Sequence, residues 1–438
     1  MSIPINDIQF PSQPSISTLL TSLKRSTLSI HNRLTSILSD TSFILDAAST
    51  LNRPLIANER CGSWYIPPHA KHASAYFKST DGHERAWKFS TRRLNLHLIP
   101  MIESHDGVII VDSTRRGKRM PDALSTTIPI WCAVLNRTLL PSHPLSSQLF
   151  LPPHLLPTTH AQITALIPQF VKSLEDLNLQ SLPVLTKPLR PYWITQDSAL
   201  PSEDVIYESY RPVICLTASR RTPTSEIDSN GYIQGAADDT ENWAHGLTSS
   251  LFWAHKDELL STTESELPDL IASLIDGETT TADTVVQLTP FLAVAALPAP
   301  KAECLVSLTN ETTPKEEWIR SGTEMVVGLG KNKTASRNLR TALPDICDFV
   351  SRYLQGHPHG KVTIACASGT DTSVGTALAL SCYLLDEEGR FRVPDGEARV
   401  TKPLVKRRLG SMMTVFPGGN PSRQTLQSVN SFLMDWRR

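Results

Sequence analysis

Residues 361–385, KVTIACASGTDTSVGTALALSCYLL, decide what kind of fold to expect. A short apolar run predicts a strand over 361–365, small residues make a loop, and a helix opens near Ser373 and runs to 385. Upstream the alternation repeats: a strand over 305–308, a helix, a strand over 325–329, a basic loop and a helix over 339–354. Alternating strands and helices imply a largely parallel sheet covered on both faces. LPAPKA at 297–302 interrupts the apolar runs with two prolines, setting a boundary between a domain over 1–297 and a second over 303–438. The class is mixed α/β.

Before that boundary, Ile16, Leu19, Leu20, Leu23, Leu34, Ile37 and Leu38 recur at three- and four-residue steps. They predict one helix or two short ones, with Lys24, Arg25, His31 and Arg33 on the other face. Apolar runs over 96–102, 108–111 and 213–216 predict strands. Five prolines between 141 and 157 mark a surface connection, and Thr158 or Thr159 then caps a helix burying Ile163, Leu166, Ile167, Phe170, Val171, Leu174 and Leu177, kinked at Pro168. A second proline-rich passage over 183–191 reads as another connection.

With 40% hydrophobic and 19% charged residues over 438 positions, the chain can bury cores. Lys plus Arg number 42 against 43 Asp plus Glu, a formal charge of −1, so a uniformly basic nucleic-acid binder is excluded and any polyanion site must be a local patch. Seven scattered cysteines with no Cys-x-x-Cys pair point to a reducing compartment. The N-terminus does not read as a leader and no long apolar run occurs, so a cytoplasmic protein away from membranes is expected.

Residues 112–123, DSTRRGKRMPDA, follow the strand VIIV. An aspartate at the carboxyl end of a strand, here Asp112, can reach Mg²⁺ directly or through its waters. Ser113, Thr114, Arg115, Arg116 and Lys118 would hold phosphate oxygens, and Gly117 permits close backbone approach. In YFKSTDGH, residues 76–83, one tight turn gathers Lys78, Ser79, Thr80, Asp81 and His83 as a second wall of the pocket. GAADDTENWAHGL, residues 235–247, sets Asp238, Asp239 and Glu241 at a predicted helix N-terminus, where Asp239 or Thr240 caps the helix or a carboxylate serves as metal ligand or general base.

In CASGTDTSVG, residues 366–375, backbone N–H groups between a strand and a helix suit one phosphate, with Cys366, Ser368, Gly369, Thr370, Asp371, Thr372 and Ser373 forming the ring. The spacing resembles the Cys-x5-Arg loop of dual-specificity phosphatases. Thr372 stands where the arginine would be and Ala365 replaces the preceding histidine, so phosphate binding is expected without phosphatase chemistry. GLGKNKTASRNLR, residues 328–340, lacks the Walker pattern and offers Lys331, Lys333 and Arg337 to an RNA backbone.

Together, DSTRRGKRMPDALSTTIPIWCAVLNR, YFKSTDGH, KPLRPYWIT, GAADDTENWAHGL and CASGTDTSVG resemble the initiator tRNA 2′-O-ribosyl phosphate transferases, a family of fungal and plant enzymes. The resemblance implies a family-specific N-terminal α/β domain and a C-terminal domain like a dual-specificity phosphatase. It also implies transfer of a phosphoribosyl group from 5-phosphoribosyl 1-diphosphate to the 2′-hydroxyl of an adenosine in the T stem of initiator tRNA, excluding that tRNA from elongation. No obligate protein partner is evident. On this reading Arg115, Arg116 and Lys118, together with Mg²⁺ held among Asp112, Asp238 and Asp239, stabilise the departing diphosphate. Asp81, His83, Asp112 or Asp239 takes the hydroxyl proton. Residues 368–373 hold the 5-phosphate, while Lys24, Arg25, Lys331, Lys333 and Arg337 track the tRNA. The rivals are an RNA-directed phosphatase using Cys366 and a non-catalytic tRNA-binding protein.

Overall fold

A computed structural model of the chain describes residues 28–78, 86–115, 117–179, 182–200, 207–222, 231–277, 285–386, 388–393 and 400–435. The strands β1 (Leu55–Asn58), β2 (Lys71–Ala75), β3 (Val108–Asp112), β4 (Leu189–Ile194) and β5 (Arg211–Thr217) form one sheet in the order β2-β1-β3-β5-β4. Every pair in it is parallel. All five residues of β3 are buried. Its side chains alternate between two cores, Ile109 and Val111 packing with Ile37, Ile44 and Phe252 on one face, Val108 and Ile110 with Leu98, Trp131 and Ile163 on the other. Because β2 and β3 flank β1 on opposite sides, the order reverses there, and a crevice opens at the carboxyl ends of β1 and β3. Asn58 and Asp112 stand at that crevice.

The second sheet contains β6 (Val286–Gln287), β7 (Leu292–Ala296), β8 (Cys304–Thr309), β9 (Glu324–Gly328) and β10 (Val362–Cys366), ordered β6-β7-β10-β8-β9. Only β6 runs antiparallel to its neighbour. The helix Thr372–Leu384 follows β10 and is buried almost all round. The helices Asn332–Gly356 and Arg423–Asp435 cover the sheet as well.

Several elements differ from the sequence reading. Strands β6 and β7 precede residue 297 yet hydrogen-bond into the second sheet, with Ala296 opposite Cys366, so LPAPKA links β7 to β8 within one unit. Residues 96–102 are not a strand. They enter the helix Leu98–Ser104, which buries Leu98, Ile99 and Ile102 and carries Pro100 in its first turn, where the missing N–H loses no bond. The first described helix is Ile30–Leu51, later than the apolar pattern over 16–38 suggests, and residues 16–27 lie outside the described residues. Pro191 sits inside β4, tolerated because β4 is an edge strand. All seven cysteines are free and buried. Among the described residues no helix is long and apolar enough to cross a membrane.

Candidate active site

The crevice is organised around two buried polar groups and one arginine. Asn58 closes β1: its Nδ2 donates to Asp112 Oδ2 at 2.8 Å and to the Phe77 carbonyl at 3.1 Å, while its Oδ1 accepts from the Phe77 N–H at 2.8 Å. Asp112 has no exposed surface. Its Oδ1 also accepts from the Ser113 N–H at 2.8 Å and from the Cys61 thiol at 3.1 Å. Arg60 Nη2 lies 3.3 Å from Asp112 Oδ1 and 3.3 Å from Asp238 Oδ1, and it donates to the Ser113 carbonyl. Burial works against the Arg60 charge, but Cys61, Asp112 and Asp238 outweigh it and raise its pKa. Burial likewise pushes the Asp238 carboxyl up, with Arg60 opposing, and pushes the Cys61 thiol far up. The turn that presents Arg60 needs Gly62, since a Cβ there would meet the Val111 carbonyl oxygen at 2.6 Å.

The loop after β3 is pinned through its backbone. The Thr114 N–H donates to Ser219 Oγ at 3.2 Å, and that hydroxyl donates back to the Thr114 carbonyl at 2.8 Å. Gln234, fully buried, accepts from the Gly117 N–H at 3.0 Å and donates to the Lys118 carbonyl at 2.8 Å. Arg221 Nε donates to the Gly117 carbonyl at 2.8 Å. With the backbone fixed, Lys118 and Arg119 are exposed and Arg115 partly so. Arg115 pairs with Asp239. Asp239 has φ +52° and makes no capping bond, and only a single short turn, Thr240–Asn242, follows it, so the expected helix cap is replaced by this ion pair.

The Mg²⁺ expectation fits poorly here. Asn58, Cys61, the Ser113 N–H and Arg60 already occupy both oxygens of Asp112. Asp238 is paired with Arg60, and Asp239 with Arg115. Among the described residues no group of three or more His, Cys, Asp and Glu could hold a metal. Arginine, not a cation site, compensates these carboxylates.

Of the other expected residues, Ser113 and Thr114 are buried beside Asp112, and Lys78 is exposed at the end of the segment after β2. Ser79, Thr80, Asp81, His83 and Arg116 lie outside the described residues, as do Lys24 and Arg25. Lys331 and Arg337 are exposed at and within the first turns of the helix Asn332–Gly356; the Lys333 side chain is not among those described. No motif of the sequence reading contains Arg60, Asn58 or Gln234. A signal was there: NERCG at 58–62 follows a short apolar strand as DSTRRG follows VIIV.

A second constellation lies at the end of β10. Cys366 Sγ is 3.2 Å from Ser373 Oγ and 3.8 Å from Ser368 Oγ. Burial pushes this thiol up, but hydrogen bonds from Ser373, Thr372 and Ser368 outweigh it and hold its pKa below the ordinary value. The absence of a neighbouring histidine therefore did not leave the thiol undisturbed. Gly369 turns the loop with φ +68°. Asp371 also lines the cavity at this loop, and its Oδ1 is held by the Ser422 N–H at 2.8 Å and the Thr425 Oγ1 hydroxyl at 2.7 Å. The adjoining cavity of about 180 Å³ is lined by Thr309, Asn310, Ser336, Cys366, Ser368 and Thr372 among others, with no Lys or Arg among the described lining.

Residues 23–276 match a family model described as Rit1 N-terminal domain, and residues 323–433 one described as Rit1 DUSP-like domain. The chain is 33% identical over 494 residues to the tRNA A64-2′-O-ribosylphosphate transferase of Saccharomyces cerevisiae, covering 96% of this chain and 95% of that protein. It is 34% identical over 433 residues to an uncharacterized protein of Schizosaccharomyces pombe, covering 92% and 94%. Among solved structures, a leucine-rich-repeat and phosphatase-domain protein from Entamoeba histolytica is 10% identical, covering 34% of this chain and 90% of that one, with a TM-score of 0.24. The Cydia pomonella PTP-2 phosphatase is 14% identical over the same shares, with a TM-score of 0.23.

Proposed function

The chain belongs to the Rit1 family, and from that membership we propose that it is a pentosyltransferase that places a ribosylphosphate group on tRNA. The donor in this reading is 5-phosphoribosyl 1-diphosphate. The acceptor is the 2′-hydroxyl of an adenosine in the T stem of initiator tRNA. One observation carries the proposal: a backbone-pinned loop bearing Arg115, Lys118 and Arg119 stands at the switch point of a parallel sheet, next to Arg60.

In the reaction the bond from the anomeric carbon to the diphosphate oxygen breaks, and its electron pair leaves on the diphosphate. The RNA hydroxyl oxygen bonds to the same carbon and loses its proton. Preorganised cations aimed at the leaving oxygens are the most effective aid to such a step. Arg115, Lys118 and Arg119 take that role. Asp239, about half exposed at the loop's edge, is the described carboxylate best able to receive the proton, whereas Asp112 is closed off and instead positions Arg60. Mg²⁺ belongs to this reading as an ion carried on the donor's own oxygens, and no step passes through it. Lys331 and Arg337 contribute to holding the tRNA backbone.

The test incubates the protein with donor labelled in its 5-phosphate and with initiator or elongator tRNA. Label entering initiator tRNA alone is the expected result. Label in both removes the specificity, and label in neither removes the activity.

A further inference from the structure

A cavity of about 480 Å³, within the size range of small-ligand sites, opens beside the crevice. Its described lining carries four cations, Lys78, Lys88, Arg92 and Arg93, interleaved with aromatic rings that include Tyr76 and Phe89. It carries no Asp or Glu. Arg93 stacks over Tyr76, its guanidinium carbon 4.9 Å from the ring centre. Both arginines reach the other half of the molecule: Arg93 Nη1 donates to the Gly419 carbonyl at 2.6 Å and Arg92 Nη2 to the Pro421 carbonyl at 3.1 Å. They bond only to neutral oxygens there, so two adjacent guanidinium groups share one wall with no described carboxylate to offset them. Burial lowers the pKa of both, and for Arg93 the neighbouring Arg92 lowers it further.

The cavity is wired to both constellations. Phe77, in its wall, exchanges two hydrogen bonds with Asn58, which donates to Asp112. On the other side the loop that receives Arg92 and Arg93 bonds back to the cysteine loop, the Asn420 N–H donating to the Thr370 carbonyl at 2.7 Å. A ligand that satisfies this wall needs a negative charge for the cations and a flat face for the rings, and an unstacked nucleotide has both.

We propose that this cavity receives a single unstacked nucleotide of the RNA substrate, its base against Tyr76 and Phe89 and its phosphate on Arg92, Lys78 and Lys88. The proposal rests on the reading that the chain acts on tRNA. It adds where the RNA enters, alongside the crevice that takes the donor.

The experiment uses the full chain, a fluorescent single-stranded adenylate tetranucleotide as probe, and transfer to tRNA as a second readout. Phe89→Ala and Lys88→Gln are the chief variants because neither residue makes the contacts to 417–421; Arg92→Ala is the third. The expected result is that each weakens tetranucleotide binding about tenfold and raises the KM for tRNA while leaving the KM for donor unchanged. Unchanged tetranucleotide affinity in Phe89→Ala and Lys88→Gln overturns the proposal even where wild-type transfer is robust. A raised KM for donor alone also overturns it, giving the cavity to the sugar diphosphate. Wild-type protein that binds the tetranucleotide through these residues yet modifies no tRNA upholds the cavity and sinks the transferase reading, so the two failures are told apart.

Discussion

Arg60 Nη2 lies 3.3 Å from Asp112 Oδ1, and that carboxylate has no solvent contact. The same nitrogen serves Asp238, so one guanidinium compensates two carboxylates in a desolvated crevice. Removing one partner of a buried ion pair leaves the other charge uncompensated, at about 3–5 kcal/mol. Arg60→Ala is expected to lower stability by that order and to abolish transfer. The double variant Arg60→Ala/Asp112→Asn should recover part of the loss, measured by urea unfolding. No recovery would mean that the arginine acts through packing.

Arg115 presents the opposite case. Its ion pair with Asp239 is at the surface, the two side chains being 31% and 48% exposed, and such pairs contribute under about 1 kcal/mol. Arg115→Ala should therefore unfold like the wild type while its transfer rate falls about a hundredfold, the scale of one lost stabilising donor. Single-turnover rates with saturating donor and tRNA check this. A rate within threefold of wild type removes Arg115 from the leaving-group site.

These two arginines also mark what could be read without a structure. VIIV ending on Asp112 is legible because an apolar run that stops at an acid and a basic loop is a strand meeting a crevice. Arg60 escapes because its partners come from 112 and 238, and only the order β2-β1-β3 brings those positions together. The run 96–102 is ambiguous by length, since seven apolar-rich positions suit strand or helix; packing of Leu98, Ile99 and Ile102 settles it. LPAPKA misleads because prolines mark a connection equally well within a sheet and between domains. The acid of Asp112 was visible, but not its saturation, which depends on donors from Asn58 and Cys61.

A buried carboxyl outside the Arg60–Asp112–Asp238 cluster gives a pH dependence. Asp40 accepts from Gln196 Nε2 at 2.7 Å and from the Tyr232 hydroxyl at 2.9 Å, and burial, only partly opposed by these bonds, pushes its pKa up to about 8. The unfolded chain releases this proton near about pH 4, the folded chain not until about 8. The folded state thus binds more protons between those values, and the stability this group contributes is complete below about 4 and lost as pH rises through about 8. Asp40→Asn stays neutral throughout. Urea midpoints at pH 5 and pH 8.5 should fall more in the wild type than in Asp40→Asn, and equal falls would place the Asp40 proton elsewhere.

The last prediction concerns the cysteine loop, where chemistry and charge point in different directions. Cys366 is held below its ordinary pKa by Ser373, Thr372 and Ser368 against the effect of burial, whereas burial raises Cys61, Cys132, Cys215, Cys304, Cys347 and Cys382. The thiolate is the nucleophile, so iodoacetamide at mild pH should label Cys366 ahead of the other six, as read by peptide mass spectrometry. A reactive thiolate alone does not make a phosphatase. The departing and incoming oxygens of a phosphoryl group need cationic stabilisation, and the described lining of this cavity has no Lys or Arg, with Thr372 at the sixth position after the cysteine. Wild-type protein is therefore expected to leave p-nitrophenyl phosphate intact, and Cys366→Ser to keep transfer within about threefold, because backbone N–H donors around the loop survive the change. Hydrolysis that disappears in Cys366→Ser would restore a phosphatase role to this loop.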